Sequence, residues 1–322
     1  MIRPFARIAL VGTIAAAGLV TAACLNWGGP GAPAGVEKPD LTVAAVPAFD
    51  SAGIYIAQQR GLFAAAGLHV KIVPAVSSST VIAGQLAGKY DFTVGAYPGY
   101  ILADALRHAR LRILAPSSTM APLGQQLMVP SGSPIHNVAQ LRGARIGVNA
   151  LHNIGVLLVS SALSDNGVPP GDVTFVAIPF PKMAAALKSG QVDAAWLIEP
   201  FITDAEESAG ATTLADLDQG VTQGLPISGY SVTQSWLDKY PKTASAVRRV
   251  LRQAQVIANN DLGAVQNSME TYAGLPRHTV QISSLPDYPL QTNANLLQRV
   301  ANLMEQFGMT TQEFDVSQII RD

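Results

Sequence analysis

The chain has 322 residues, of which 48% are hydrophobic and 13% are charged, and its formal net charge is −1 at pH 7. This composition is typical of a globular protein long enough for two domains with large cores. The absence of a basic excess argues against nucleic acid as a partner.

The N-terminus has the pattern of an export signal. Arg3 and Arg7 precede sixteen uncharged, mostly apolar residues, 8–23, and Cys24, the only cysteine of the chain, follows them. This run is too short and too rich in Gly and Thr for a membrane span, so residues 1–23 are interpreted as a signal peptide. The stretch LVTAAC, which ends at Cys24, resembles the lipobox of bacterial lipoproteins, and this resemblance implies that Cys24 is acylated. Thr21 departs from that pattern, and an ordinary secreted protein with an incidental cysteine is the alternative.

The next segment lacks any apolar periodicity. Residues 25–40 read LNWGGPGAPAGVEKPD and are rich in Gly, Pro and Ala. We expect residues 24–40 to form a lipidated, flexible tether between the membrane and the folded body.

Two segments of the remaining chain match each other at an offset of 102 residues. The sequence GKYD at 88–91 aligns with GQVD at 190–193, Pro98 aligns with Pro200, and Gly53 aligns with Gly155. Gly and Asp are common in turns, so chance is the alternative to an internal repeat.

Each segment predicts the order strand, helix, strand, helix, strand. In the first segment these elements are 41–46, 52–59, 69–73, 79–87 and 92–96, and in the second they are 145–148, 156–164, 173–178, 183–188 and 194–198. Gly88 and Gly190 fit the left-handed position that ends a helix. Strands separated by helices indicate parallel pairing, and their continuous apolar character indicates burial on both faces.

Open sheets of this kind bind ligands beyond the carboxyl ends of their strands, where loops meet helix N-termini. If two such sheets face each other, Tyr97 and Glu199 occupy equivalent positions at the ends of the third strands, and we expect both to border the cleft. The alternative for Glu199 is that it caps a neighbouring helix or pairs with a surface lysine.

Four runs carry a family resemblance: IYIAQQRGLFAAAGLHVKI, LAGKYDFTVGAYP, VPSGSPIHNVAQLRGARIGV and MAAALKSGQVDAAWLIEPF. Together they resemble the substrate-binding proteins of ABC importers, in the nitrate, sulfonate and taurine group that also includes thiamine-pyrimidine binders. The resemblance extends from about residue 41 to residue 250. It implies an α/β fold of the type 2 periplasmic-binding class, in which two lobes, each a mostly parallel sheet flanked by helices, are joined by two crossing segments.

The resemblance also implies the limits of the lobes. We expect lobe 1 to comprise residues 41–117 and 230–322 and lobe 2 to comprise residues 118–229, with crossings near 113–128 and 226–233. The C-terminal part shows apolar residues at helical spacing, which predicts core helices over 244–259 and 290–307.

The candidate ligand-binding residues lie where predicted strands or crossings meet helices. They are Phe49, Asp50, Ser51, Ser77, Ser78, Ser79, Thr80, Tyr97, Asn149, His152, Asn153, Glu199 and Tyr230. Hydroxyl and backbone N–H groups at a helix start suit an anionic or strongly polar ligand group. Some of the serines, Asp50 and Asn153 are equally suited to be helix caps. Tyr97 and Tyr230 are equally suited to be core residues. Trp196 is interpreted as a packing residue.

The charge of these loops bears on the ligand. They hold Asp50 and Glu199 against Lys182 and His152, and no arginine. A bare nitrate or a phosphate favours a bidentate guanidinium, so we expect a neutral or zwitterionic organic solute such as an aminosulfonate or an aminopyrimidine. The five histidines show no metal-ligand spacing, and we expect no metal and no cofactor.

The leading hypothesis is therefore a monomeric, lipid-anchored binding protein on the extracytoplasmic face of the cell membrane. It would capture a small solute between its lobes and present it to an ABC permease. The first alternative is a cleft enzyme of the same fold, of the type found in pyrimidine or menaquinone biosynthesis, although no nucleophile motif occurs in the candidate loops. The second is a surface lipoprotein in adhesion or signalling.

Overall fold

Helices and strands alternate along the chain in the computed structural model, which describes residues 35–273 and 276–321. The predicted signal peptide and Cys24 lie outside these residues. The strands are β1 (Asp40–Ala45), β2 (His69–Pro74), β3 (Phe92–Ala96), β4 (Leu111–Thr119), β5 (Gln125–Val129), β6 (Arg145–Val148), β7 (Thr174–Ala177), β8 (Ala194–Ile198), β9 (Thr212–Asp216) and β10 (Pro226–Thr233). The helices are α1 (Ala52–Gln59), α2 (Leu62–Ala65), α3 (Ser78–Leu86), α4 (Tyr97–Arg107), α5 (Ile154–Asp165), α6 (Met183–Lys188), α7 (Phe201–Ala209), α8 (Gln234–Lys239), α9 (Pro241–Asn260), α10 (Leu262–Ala273), α11 (Arg277–Ile282) and α12 (Ala294–Gln306).

The strands form two five-stranded sheets with equivalent orders, β2-β1-β3-β10-β4 and β7-β6-β8-β5-β9. In each sheet the three strands of one repeat pair in parallel, as predicted. The other two strands add antiparallel pairings, which makes both sheets mixed. We refer to the first sheet and its helices as lobe 1, and to the second sheet and its helices as lobe 2. The α/β fold with two similar lobes is confirmed.

The repeated sequence GxxD has the same structural role in both lobes. Gly88 and Gly190 each adopt a positive φ, of 74° and 70°, directly after a helix. Asp91 donates its backbone N–H to the carbonyl of Thr42 at 2.8 Å and accepts from the N–H of the same residue at 2.8 Å. Asp193 makes the equivalent pair of bonds with Arg145, also at 2.8 Å and 2.8 Å. Each aspartate therefore joins the start of the third strand to the start of the first.

We expect Asp193→Ala to lower the free energy of unfolding by about 1–3 kcal/mol, because it leaves the Arg145 N–H without its carboxylate acceptor. The Arg145 guanidinium also donates to Asp193 and holds the pKa of that carboxyl below its usual range. This contribution is present above the unfolded pKa and disappears as the pH falls through the folded one. Urea denaturation at pH 7 and pH 3 measures the loss. Asp165→Ala, at an exposed site, is the control, and an equal loss in both variants would contradict the assignment.

The two lobes are connected by residues 120–124 and 217–225, which lie between strands of different sheets. The second connection precedes the segment 226–233 that the sequence suggested. The reason is that β10 pairs with β4 from Pro226 to Thr233 and therefore belongs to the first sheet throughout. None of the helices within the described residues is both long and apolar enough to cross a membrane.

Candidate functional site

A small cavity lies beyond the carboxyl ends of strands from both lobes. Its lining residues come from both lobes, with β10 contributing to the lobe 1 side, and they are Val46, Ala48, Asp50, Ser51, Ser78, Val94, Gly95, Ala96, Asn149, Asn153, Ile154, Phe180, Trp196, Ile198, Ile227 and Ser228. The volume open to the centre of a water molecule is about 40 Å³. That is room for roughly three waters or for one small polar group. We call this space the inner cavity.

Lobe 1 contributes the only charged side chain among these lining residues, Asp50. It lies in the short 3-10 turn Phe49–Ser51 that leads into α1. Burial raises the pKa of Asp50 from 3.8 to about 6, although a hydrogen bond with Ser118 opposes this shift. The neighbouring Ser118 and Ser228 hydroxyls are 2.7 Å apart. The carboxyl group therefore lies deep in the protein, although the residue as a whole is only half-buried.

Lobe 2 contributes two amides and two aromatic rings. Asn153, directly before α5, donates its Nδ2 to Oδ1 of Asn149 at 3.0 Å. Asn153 is 5% exposed, and its Oδ1 has no hydrogen-bond partner among the described residues. The rings of Phe180 and Trp196 lie 5.2 Å apart, and the Trp196 indole N–H donates to Oε1 of Gln125 at 3.0 Å. This wall therefore combines apolar rings with an acceptor that is left unpaired.

A second cavity of about 230 Å³ adjoins the first and shares Ser78 and Asn153 with it. It lies between α3 and α4 of lobe 1 and the loop before α5 of lobe 2, and we call it the outer cavity. Arg107 and His152 are its charged or titratable lining residues, and Leu106 and Leu151 are exposed apolar ones. Arg107 is not among the residues predicted from the sequence, because it ends α4 and belongs to none of the candidate loops.

Several candidate residues line these two spaces. Asp50, Ser51, Ser78, Asn149 and Asn153 line the inner cavity, and Ser79 and His152 line the outer one. The serine run includes both a helix cap and lining residues. Ser77 is the N-cap of α3, since its Oγ accepts from the Thr80 N–H at 3.4 Å, and Thr80 itself lines neither space. Ser78 accepts from the Ala96 N–H at 2.8 Å and so joins α3 to the end of β3.

Three aromatic candidates lie in the core instead of the cleft. The Tyr97 ring packs against β10 so closely that a Cβ on Gly229 would lie 2.7 Å from its hydroxyl oxygen. A Cβ on Gly53 would lie 2.9 Å from the Tyr230 hydroxyl, which places that ring against the first turn of α1. Phe49 is 1% exposed, and its carbonyl accepts from the Tyr288 hydroxyl at 3.1 Å. The expectation that Tyr97 borders the cleft is therefore wrong. The side chain of a tyrosine at the start of a helix can turn back under the sheet, and the Tyr97 ring packs there against β10.

The same correction applies to Glu199. Its carboxylate accepts from the backbone N–H of Thr203 at 3.2 Å and from the Thr203 hydroxyl at 3.0 Å, and it therefore caps α7. It also accepts from the Ser284 N–H at 3.3 Å, in the segment after α11. Burial raises the pKa of Glu199, and these hydrogen bonds partly offset the rise. Glu199 therefore caps a helix, which is the alternative considered for it from the sequence, and it does not line the inner cavity.

We expect Glu199→Ala to lower the free energy of unfolding by about 1–3 kcal/mol, because both the cap of α7 and the acceptor for Ser284 are lost. Its effect on solute affinity should be small, since the carboxylate is engaged with Thr203 and Ser284 and Glu199 is not among the lining residues of the inner cavity. Glu207→Ala on the same helix is the control, as that residue makes an exposed pair with His278 at 3.0 Å and should cost less than about 1 kcal/mol. A large loss of affinity at unchanged stability would restore Glu199 to the binding site.

Larger depressions occur away from the strand ends. The largest of those described, about 570 Å³, is an open groove on lobe 1 at the amino ends of β1 and β2, lined by Asp40, His69 and Lys71 among others. It involves one lobe, and it includes exposed, paired side chains such as His69 and Asp40, whose ring nitrogen and carboxylate oxygen are 3.0 Å apart. The inner cavity is the stronger candidate, because buried polar groups from two lobes meet there.

The chain belongs to the family described as NMT1/THI5 like, which it matches over residues 48–261. Among curated proteins it is similar to the bicarbonate transport ATP-binding protein CmpC of Synechocystis sp., with 26% identity over 244 residues and 68% of this chain. The chain spans 35% of the length of that relative.

Solved structures share the fold. The alkanesulfonate-binding protein SsuA of Xanthomonas axonopodis pv. citri, bound to MOPS, superposes with a TM-score of 0.76 at 19% identity, over 89% of this chain and 99% of that one. The desulfurization enzyme DszB superposes with a TM-score of 0.65 at 20% identity, over 87% of this chain and 96% of that one. A solute-binding protein and an enzyme thus share this two-lobed architecture, and the site must distinguish between them.

Proposed function

We propose that the protein is the extracytoplasmic solute-binding component of an ABC importer. The observation that carries this proposal is the inner cavity, whose wall comes from both lobes. A solute that contacts both lobes at once stabilises the arrangement in which they are closed. Closure by motion at the two connections would then present a distinct form to a membrane permease. The likeness to SsuA and CmpC is consistent with this function.

The proposed solute is a small organic molecule of the sulfonate or taurine-like class or of the aminopyrimidine-like class. The inner cavity suits one small polar group flanked by aromatic surface from Phe180 and Trp196. The outer cavity, with Arg107 and His152, has room for the rest of the molecule. The walls of this cleft are mostly apolar with a few polar groups, as is usual for small-molecule sites.

A thermal-shift screen of the purified protein against sulfonates, amines and pyrimidines tests the proposal. A solute present at about 100 times its Kd stabilises the folded state by about 2.7 kcal/mol, which raises Tm by a few degrees. The expected result is a hit whose effect disappears in Asn153→Ala and persists in His69→Ala, in the lobe 1 groove. Failure of every compound, or loss of the effect in His69→Ala alone, would contradict the proposal.

The proposed location is the extracytoplasmic face of the cell membrane, with residues 1–23 removed and Cys24 lipidated. This part of the proposal is supported by the sequence pattern at 3–24. Mass spectrometry of the mature N-terminus should find a diacylglycerol on Cys24. An unmodified protein cleaved at another residue would contradict the anchor and leave the solute-binding proposal intact.

A cleft enzyme is the second candidate, and the observation that favours it is Asp50. A carboxyl group with a pKa of about 6 inside a cavity is suited to act as a general base near neutral pH. Against this candidate, the described lining residues of the inner cavity include no histidine, lysine or cysteine that would act with Asp50. Conversion of a stabilising solute to product by the purified protein would favour the enzyme.

A further inference from the structure

The electrostatic character of the inner cavity is set by one full charge. Asp50 is the only charged residue among its described lining residues, and Arg107 and His152 line the outer cavity instead. The helices α3 and α5 also begin at this cavity, since Ser78 and Ile154 are among its lining residues. They do not supply a side-chain cation to hold an anion.

The hydrogen-bonding groups in the inner cavity favour a donor. Oδ1 of Asn153 is buried, unpaired among the described residues and part of a residue that lines the cavity. A buried acceptor without a partner is unfavourable, and a bound donor removes this penalty. The carboxylate oxygens of Asp50 are acceptors as well when they are ionised. Two residues that carry such acceptors, Asp50 from lobe 1 and Asn153 from lobe 2, therefore line a space of about 40 Å³.

The aromatic part of the wall favours the same kind of group. Phe180 and Trp196 both line the cavity, with their ring centroids 5.2 Å apart and their planes inclined at 54°. The indole N–H is already engaged with Gln125, so the ring offers its faces and edges to a solute. Aromatic faces attract cations, with an energy that increases when the cation is desolvated.

From this juxtaposition we propose that the inner cavity selects a solute through a positively charged nitrogen with N–H donors, an ammonium or a protonated aminopyrimidine, held between Asp50 and Asn153. This inference rests on the proposed function and narrows its solute class. Bare anions such as nitrate are rejected, because they would bind beside a carboxylate and an amide oxygen, with no side-chain cation among the described lining residues of the inner cavity. An aminosulfonate would bind with its ammonium in the inner cavity and its sulfonate towards Arg107 and His152 in the outer one.

Matched probes test the inference in the full protein. Taurine and isethionate differ in an ammonium in place of a hydroxyl, and 4-amino-2-methylpyrimidine and its 4-oxo analogue differ in the exocyclic amine. The expected result is that the amine-bearing member of at least one pair raises Tm and binds at least about ten-fold tighter than its partner, while sodium nitrate has no effect. Tighter binding of isethionate, the oxo analogue or nitrate would overturn the inference.

Substitution of the Asp50 carboxyl group provides a second test of the inference. Asp50→Asn should remove the preference for the amine within each pair, and Asp165→Asn, at the far end of α5, should leave it unchanged. Preserved selectivity in Asp50→Asn would overturn the inference even if solute binding itself were established. If none of these probes nor any compound of the wider screen stabilises the protein, the proposed function fails, and the inference fails with it.

Proton release gives a readout that a merely structural aspartate would not produce. Because burial raises the pKa of Asp50 to about 6, part of the free protein carries a proton on this group at pH 6. A bound cation favours the carboxylate, so binding at pH 6 of a solute whose nitrogen stays cationic throughout this range, such as taurine, should release a fraction of a proton, and its affinity should increase from pH 5 to pH 7. Calorimetry in buffers of different ionisation enthalpy measures this release. An affinity that is independent of pH in the wild type would contradict the proposed contact.

Discussion

Asp50→Asn should raise the free energy of unfolding of the solute-free protein by up to about 3 kcal/mol at pH 8. The pKa of Asp50 rises from 3.8 to about 6 on folding because the carboxylate loses solvation. A difference of one pKa unit corresponds to about 1.4 kcal/mol between the two protonation states. Asparagine is close in shape and carries no charge, so it removes this penalty and keeps the hydrogen-bonding capacity of the site.

The increase in the free energy of unfolding caused by Asp50→Asn should depend on pH in a defined direction. The unfolded chain loses the Asp50 proton above about pH 4, whereas the folded protein keeps it until about pH 6. Between these values the folded state binds more protons, so the contribution of Asp50 to wild-type stability decreases as the pH rises and then becomes constant. The difference between Asp50→Asn and wild type should therefore be near zero at pH 4 and largest above pH 7.

Urea denaturation at pH 4, 6 and 8 measures this difference, and comparison with the variant cancels the other titrating groups. Asp165→Asn is the matched control and should change the free energy of unfolding by no more than about 0.5 kcal/mol, because that residue is exposed. A variant less stable than the wild type at pH 8 would show that the carboxylate stabilises the fold. If Asp50→Asn has a higher free energy of unfolding than the wild type and also binds solute more weakly, Asp50 is a residue kept for function at the expense of stability.

Gly155→Ala should lower the free energy of unfolding by about 1–3 kcal/mol or more and should also weaken solute binding. A Cβ at position 155 would lie 2.1 Å from Cε3 of Trp196, well inside van der Waals contact. The indole is held by Gln125 on one edge and lies against Phe180, so the ring must move if α5 stays in place. Trp196 lines the inner cavity, and its displacement changes the shape of the site.

Gly263→Ala in α10 is the control for the helical effect of the substitution. Its added Cβ would lie 3.3 Å from Oδ1 of Asp261, against 2.1 Å for the contact at position 155. Alanine is favoured over glycine in a helix by about 0.5–1 kcal/mol, so this variant should be neutral or more stable. Thermal unfolding and titration of both variants check the prediction. A Gly155→Ala protein with increased Tm and unchanged affinity would show that Trp196 moves freely and has no part in the site.

The repeated unit could be predicted because its signals are local. Continuous apolar runs of strand length lie between helical segments, and Gly88 and Gly190 mark the helix ends, so α1, α6, β3, β6 and β8 have the bounds that the sequence indicates. The clamp formed by Asp91 and Asp193 explains why the pattern GxxD recurs. The match at an offset of 102 residues thus reflects equivalent hydrogen bonds at equivalent positions in the two sheets.

The residues that line the cavity are harder to predict from the sequence, because they depend on how the two lobes approach each other. Tyr97 and Glu199 follow equivalent strands, yet one side chain turns under β10 and the other caps α7. The sequence predicts a packing role for Trp196. Its ring does pack on Gly155, and it also lines the cavity. Phe180 and Arg107 lie in segments without any local motif. Such residues are recognised once the relative positions of α4, α5 and β8 are known.

Titration of one stabilising solute against single-lobe variants tests the central claim most directly. The claim is that both lobes contact the same small molecule, Asp50 from lobe 1 and Asn153 from lobe 2. Isothermal calorimetry should show affinity reduced at least about ten-fold in Asp50→Ala and in Asn153→Ala, and unchanged in His69→Ala. Full affinity in either cleft variant, with loss of binding in His69→Ala, would place the solute on one lobe and contradict the account.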